Sequence, residues 1–535
     1  MTFFAGHTSF IKKYAREPVL FYSVLLVNII VVFSLKFYPS LDGPAHLYNS
    51  YILSDLLKGG QSLLSDYYSV NTLVIPNWIG HVILTSLGLI FPAWLSEKML
   101  IALYIFGLAC SFRFLIKQLR PDNLNLSILI FPFAYTHLFC IGFYNYSISF
   151  VFFFLTLAYW IKNQEKGSLW HYLFLFLLIT ITYYSAVVTF GFLGLTLGLL
   201  ILSRWMGKYL KTKALKPAVI GAFKELTILL VLSIPALVML FLFYRSTHFP
   251  PPGEALHSAE LFSWLNDGRA LIAYAYHSEA NYTRLLIHII LIIIAFDLYQ
   301  RFVKKRSGEV GSWLRSGDIL LVPILIALVL FLTVPDDSGA RMMSLRYNVL
   351  FFLMLIPWVA SSDIAKPVSR VLMAMIIVLH LGLLLKHRTV LNESLVPHAQ
   401  AIHDAANWMD PGSVVLPVRL SDNWLELHFS NYLGTDKPLV ILENYETGIG
   451  WFPVMWDTKS LPKIVLSKAG EIGSLTWASG TNSQTIKTID YVFIYGSLEG
   501  LNLEKWEELR QVLESDYRSI YTDPSRYISI YERKN

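Results

Sequence analysis

The sequence predicts a mainly α-helical, polytopic membrane protein that ends in a small α/β domain outside the membrane. Three observations carry that expectation. Of 535 residues, 55% are hydrophobic and only 15% charged, against about 25% charged in soluble domains, and the mean hydropathy is +0.51. Apolar runs of the length demanded by a bilayer core of roughly 30 Å recur up to residue 385 and then cease. Aromatic residues make up 15%, as when many spans end in interfacial belts. Disordered, collagenous and disulfide-stapled chains are thereby excluded. The two cysteines, Cys110 and Cys140, lie in apolar runs and offer neither a disulfide framework nor a cysteine metal site.

The apolar runs fall near 18–37, 97–116, 124–142, 149–163, 169–184, 186–203, 221–243, 284–300, 318–334, 347–361 and 367–385, which makes about eleven spans. The run at 73–91 contains Pro76, Asn77, Gly80 and His81 and reads either as a span or as an interfacial helix. Charge placement decides. With the N-terminus cytoplasmic and 73–91 not crossing, Lys117 and Arg120, Lys162 and Lys166, Arg204 to Lys216, Arg301 to Arg315, and Lys366 with Arg370 all face the cytoplasm. A crossing at 73–91 would turn those clusters outward, against the positive-inside rule. No small-residue cleavage site follows 18–37, so it reads as a retained first helix. Basic clusters confined to short loops are explained by topology, and no nucleic-acid partner is expected.

On this topology residues 1–385 form the membrane domain, with outer loops at 38–96, 244–283 and 335–346, and residues 386–535 form an extracytoplasmic domain. In that tail, short apolar runs at Val414–Val418, Pro438–Glu443 and Tyr491–Tyr495 alternate with amphipathic stretches near 395–409 and 502–515. Strands between helices, hence an α/β domain, are the expectation.

The first outer loop reads Tyr38-Pro-Ser-Leu-Asp42-Gly-Pro44-Ala-His46. Pro44 suits the first turn of a helix, which puts Asp42 at that helix's start. There it is either a cap or a carboxylate held at the membrane surface for chemistry. His46, one turn on, is a candidate substrate contact, with structural hydrogen bonding as its plainer role. A later outer loop carries Asp336-Asp337, Arg341 and Leu345-Arg346-Tyr347. Two arginines against the cytoplasmic bias call for a reason. Arg346 either snorkels among headgroups or forms a bidentate pair with a phosphate, and Asp336-Asp337 either neutralise the arginines or bind a divalent cation. Lys98 adds a cation at the start of the 97–116 helix. The loop 244–283, with His248-Phe-Pro-Pro-Pro-Gly, Glu254, His277 and Glu279, suits a lid or an ordinary linker. Phosphate-loop, dinucleotide, zincin and nucleophile-elbow motifs do not occur in a credible context.

A retained first helix, an early acid in the first outer loop, the Pro76-Asn77-Trp78 element, Leu345-Arg346-Tyr347 followed by Pro357, and an outer C-terminal domain together resemble the GT-C glycosyltransferases. That group contains lipid A aminoarabinose transferases, protein O-mannosyltransferases and the catalytic subunit of oligosaccharyltransferase. The resemblance implies a multi-pass enzyme of a cell inner membrane that moves a sugar, with inversion, from a polyprenyl-phosphate donor to a lipid, glycan or protein acceptor. It implies that Asp42 activates the acceptor, that Lys98 and Arg346, with Arg341, hold the lipid phosphate, and that Tyr347 belongs to the same element. Relatives often carry an acid in the second outer loop, where this chain has Asn145, suited to orienting a sugar. Metal dependence of the oligosaccharyltransferase type is therefore not expected, and no cofactor is assigned. A transporter or flippase, or a non-catalytic subunit of an envelope-polysaccharide system, stands as the alternative.

Overall fold

The computed structural model describes residues 3–58, 62–73, 75–165, 167–247, 249, 251–306, 315–457, 461–462, 464–465, 476–477, 488–497 and 506–534. Lys166, His248 and residues 502–505 lie outside them. The chain packs into two compact units, and it is the mainly helical, polytopic membrane protein that the composition predicts.

The first unit comprises residues 1–33, 102–140 and 145–389. Among the described residues, seven helices are long and apolar enough to cross a bilayer, including Val187–Thr212, Leu215–Ser246, Tyr276–Val303 and Met343–Ala360, and shorter apolar helices run over Glu17–Phe33, Leu169–Ser185 and Gly317–Thr333. All the expected apolar runs but one coincide with helices. The exception is 124–142, which breaks into a 3₁₀ turn at Pro121–Leu129 and short helices at Ile130–Phe133 and His137–Cys140. Pro132, inside that stretch, lacks the N–H that a continuous helix would use. Leu215–Ser246 buries few of its residues, as a lipid-facing helix does.

Several arginines of this unit are paired with acids. Arg301 holds Asp318 through both terminal nitrogens, at 2.7 and 2.8 Å, and Asp297 through Nε at 2.8 Å, while Arg315 pairs with Asp297 and the Trp358 indole donates to Asp318 at 2.9 Å. Residues 244–283 are no bare linker. Helix Ser258–Asp267 ends in Gly268, and the Asp267 carboxylate accepts from Tyr276 at 2.9 Å and from Arg284 at 3.0 and 2.9 Å.

The second unit joins residues 34–101 and 141–144 to residues 390–535. Its largest sheet among the described residues has five strands in the order Val440–Ile441, Val414–Arg419, Tyr491–Tyr495, Ile528–Arg533, Tyr517–Thr522. The first three run parallel and the last two antiparallel. Parallel strands are covered on both faces and therefore read as continuous apolar runs, which is why Val414–Val418 and Tyr491–Tyr495 were visible in the sequence. Pro417 is accommodated inside such a strand because pairing with Val440–Ile441 stops at Val415, so its missing N–H falls where the strand is an edge. Leu416, Val418, Val492 and Ile494 meet Trp506, Leu509 and Leu513 in a core under helix Glu507–Asp516.

Helix Gly43–Lys58 begins at Pro44's turn, as its sequence implies, and is buried on every side from Gly43 to Ser50. Its polar side chains must then be satisfied by protein. Tyr48 shows how: its hydroxyl donates to the Leu439 carbonyl at 2.5 Å and accepts from the Ile441 N–H at 3.1 Å, which fixes the helix to the first strand of the sheet. Gly434 permits the approach, since a Cβ there would run into the Tyr48 ring. Helix Ile79–Gly88 packs beside it. Its 10 residues span about 15 Å, too little to cross a bilayer core.

Candidate active site

Asp42 stands at the entrance to helix Gly43–Lys58. Its N–H donates to the Ile141 carbonyl at 3.0 Å and its carbonyl accepts from His46 at 3.1 Å, so its backbone has the cap position. The capping side chain is a different one: the Ser40 hydroxyl accepts from the Gly43 N–H at 3.1 Å. The Asp42 carboxylate instead lies 3.9 Å from Nε2 of His428. Burial raises its pKa, and Glu446 adds to the rise, while His428, His46 and Tyr445 oppose it; the net shift is upward. Gly142, at φ +98°, lets the chain pass this close: a Cβ there would lie 2.8 Å from the Gly43 nitrogen and 3.0 Å from the Asp42 Cβ.

One turn on, at the i+4 and i+7 positions of the same helix face, come His46 and Asn49. Nε2 of His46 lies 3.0 Å from the Gly142 carbonyl oxygen, and Nδ1 meets Glu446 Oε1. The other Glu446 oxygen is 2.9 Å from His81 Nε2 and accepts from Asn49 at 2.9 Å. Asn49 and Asn444 exchange amide hydrogen bonds, each of 2.9 Å. Burial alone would lower the His46 pKa, but Glu446, Asp42 and the Gly142 carbonyl raise it overall. Burial alone would raise that of Glu446, and the two imidazoles hold it down instead. His46, His81 and Glu446 bring three ligand atoms within 4.8 Å of one another.

His428 is positioned by the tail. Its Nδ1 lies 2.6 Å from Glu443 Oε1, and its ring stacks on Tyr445 at 4.1 Å. Glu443 also accepts from Ser430 at 2.9 Å and Asn431 at 2.7 Å. Burial disfavours an imidazolium, yet Glu443, Asp42 and Glu446 raise the His428 pKa overall. Sequence reasoning named Asp42 and His46 and did not name His81, His428, Glu443, Tyr445 or Glu446, which the structure brings beside them. A signal was present: Glu443-Asn-Tyr-Glu446 concentrates polar groups directly after a buried strand.

The remaining predicted residues fall into two places. Lys98, in the second unit, is buried, donates to the Leu35 carbonyl at 2.9 Å and sits 4.5 Å from the Trp94 ring centre; its neighbour Glu97 accepts from Tyr144 at 2.7 Å. In the first unit, Arg346 lies 5.2 Å from the Tyr146 ring centre, its carbonyl accepts from the Tyr146 hydroxyl at 2.6 Å, and its Nε donates to the Arg341 carbonyl at 3.1 Å. Half-buried Tyr347 follows on the same helix, exposed Arg341 precedes it, and buried Asn145 adjoins Tyr146. The structure thus brings Arg346 against Tyr146, with Arg341 held to Arg346 through its carbonyl. Asp336 is engaged with backbone, accepting from the Ser344 N–H at 3.0 Å at the start of helix Met343–Ala360.

No family model matches the sequence, and no curated protein does. Two solved structures match along nearly the whole chain. The apo crystal structure of ArnT from Cupriavidus metallidurans is similar with a TM-score of 0.53 at 10% identity, over 97% of this chain and 98% of that one. The crystal structure of the same ArnT bound to undecaprenyl phosphate is similar with a TM-score of 0.52 at 10% identity, over 96% and 97%. The fold of this chain is therefore similar to that of ArnT.

Proposed function

We propose that the protein is a membrane glycosyltransferase that moves a sugar from a polyprenyl-phosphate donor to an acceptor hydroxyl on a lipid, glycan or protein. The observation that carries this reading is Asp42, a buried carboxylate with raised proton affinity at a helix entrance. A carboxylate in that state is suited to take a proton during reaction, because a base works best with a pKa nearer the operating pH. The ArnT fold supports the donor class, since that protein was crystallised with undecaprenyl phosphate.

In the proposed step the acceptor oxygen bonds to the anomeric carbon as the bond from that carbon to the phosphate oxygen breaks. The acceptor proton passes to Asp42, and the electron pair leaves with polyprenyl phosphate. In-line displacement inverts the anomeric configuration. A phosphate leaving group needs charge stabilisation more than protonation, the role assigned to Arg346 and Lys98, with Arg341. Asn145, His46 and Tyr347 are assigned to binding the substrates. The enzyme works at the outer face of a bacterial cytoplasmic membrane, with its N-terminus inside and its tail outside.

The test uses purified protein in lipid nanodiscs, supplied with lipid-linked sugars and surface glycans extracted from a strain lacking the gene. Mass spectrometry should show polyprenyl phosphate released only when acceptor is present. Intact donor crossing the bilayer with no bond cleaved would instead identify a transporter.

A further inference from the structure

We propose that Glu97 is a positioning residue for Asp42, acting through Tyr144 and Ser40 on the backbone at the start of helix Gly43–Lys58. This role deepens the sugar-transfer reading and rests on it. Glu97 lies on helix Ala93–Leu119 and is 0% exposed. Ser40, Gly43, Glu97 and Tyr144 all belong to the second unit.

Donors and acceptors give the connection a direction. The Gly43 N–H donates to Ser40 Oγ at 3.1 Å. Ser40 Oγ lies 3.2 Å from the Tyr144 hydroxyl, which donates to Glu97 Oε1 at 2.7 Å. A phenol has one proton to give, so Tyr144 accepts from Ser40 while it donates to Glu97. Three hydrogen bonds thus run one way, from the first amide of the helix to a buried carboxyl, and each polarises the next. Close packing follows the same path. A Cβ on Gly43 would collide with Ser40 Oγ and Glu97 Oε1 and lie 3.0 Å from the Tyr144 hydroxyl. The three side chains therefore enclose the α-carbon that follows Asp42. The segment that carries Tyr144 also grips the turn directly, since the Ile141 carbonyl accepts from the Asp42 N–H at 3.0 Å.

Fold stability alone does not account for a carboxyl at this place. Glu97 Oε2 is buried with no hydrogen-bond partner among the described residues, a cost to folding that an apolar side chain would avoid. What the carboxyl secures is the seat of Asp42. A reacting group must be held close to its productive geometry, and a misplacement of about 1 Å lowers the rate by about 10²-fold.

The test measures sugar transfer and amide hydrogen exchange on full-length protein in nanodiscs. Glu97→Ala and Tyr144→Phe should each lower kcat by about 10²-fold, with donor KM and undecaprenyl phosphate binding unchanged. Peptides covering residues 38–47 should exchange faster in both variants. The double variant should be no slower than either single one, because both cut the same connection. Glu97→Gln keeps an acceptor oxygen for Tyr144 and should recover most of the rate. In an Asp42→Asn background, Glu97→Ala should have no further effect, since a role that passes through Asp42 vanishes with it and a general loss of stability does not. Folded Glu97→Ala with wild-type kcat, or losses that multiply in the double variant, overturn the proposal. If Glu97→Ala does not fold, the smaller change Tyr144→Phe decides by the same readouts. If the wild type transfers no sugar, the transfer reading fails and exchange decides alone: unaccelerated exchange of 38–47 in these variants overturns the positioning role too.

Discussion

Nε2 of His428 stands 3.9 Å from Oδ1 of Asp42, and Glu443, 2.6 Å from the other ring nitrogen, keeps that nitrogen facing the carboxylate. An imidazole anchored on one side in this way has its tautomer and orientation fixed. His428→Gln should therefore reduce turnover by about 10–100-fold, the equivalent of one hydrogen bond or ion contact to a charged group. Binding of undecaprenyl phosphate, measured by native mass spectrometry, should be unchanged. Weakened lipid binding with intact turnover would place His428 outside the proton path.

Glu443 serves three side-chain donors, His428, Ser430 and Asn431. Glu443→Ala leaves them buried without an acceptor and should destabilise the protein by about 3–5 kcal/mol. Glu443→Gln, which keeps one acceptor oxygen, should cost much less. Thermal melts of the two variants check the order.

Gly142→Ala adds a Cβ against the Gly43 nitrogen and the Asp42 Cβ at a φ of +98°, a strain of about 1–3 kcal/mol. The substitution should lower the melting temperature and, by displacing Asp42, reduce turnover as well. A variant with wild-type melting and wild-type rate would show that the approach is not tight.

Glu426 gives the tail a defined acid sensitivity. Burial alone would raise its pKa, but hydrogen bonds from His398, Ser421 and Tyr527 hold it below the usual 4.5. The unfolded chain therefore binds this proton at a pH where the folded chain has lost it. Stability from this group is fully present above about pH 4.5 and lost as pH falls through the depressed folded value. Denaturation followed across that window should show less acid destabilisation in Glu426→Gln than in the wild type.

The proposed phosphate role of Arg346 predicts a distinction between its variants. Arg346→Ala should weaken undecaprenyl phosphate binding by about 10–100-fold. Arg346→Lys should restore only part, because an ammonium lacks the bidentate fork. Equal affinity in all three proteins would remove the phosphate role from Arg346.

Much of this architecture can be read from the chain. The membrane class follows from composition, and the tail strands follow from runs such as Val414–Val418 that must be apolar to be buried on both faces. Asp42 was visible because Pro44 marks a helix start. The break at 124–142 was not, since Ile, Leu and Phe around Pro132 keep hydropathy high whether or not the helix is continuous. The partners of Asp42 were also hidden. Asn49 meets Asn444 across 395 residues, and no local spacing relates His428, Tyr445 or Glu446 to the first loop. Only tertiary packing brings them together.

The most direct test of the transfer account compares the wild type with Asp42→Asn in the reconstituted assay for polyprenyl phosphate release. An amide keeps the shape of the side chain but cannot take a proton, so turnover should fall by about 10²–10⁴-fold while melting temperature and undecaprenyl phosphate binding stay near the wild type. Undiminished turnover in a folded Asp42→Asn protein would contradict the assignment.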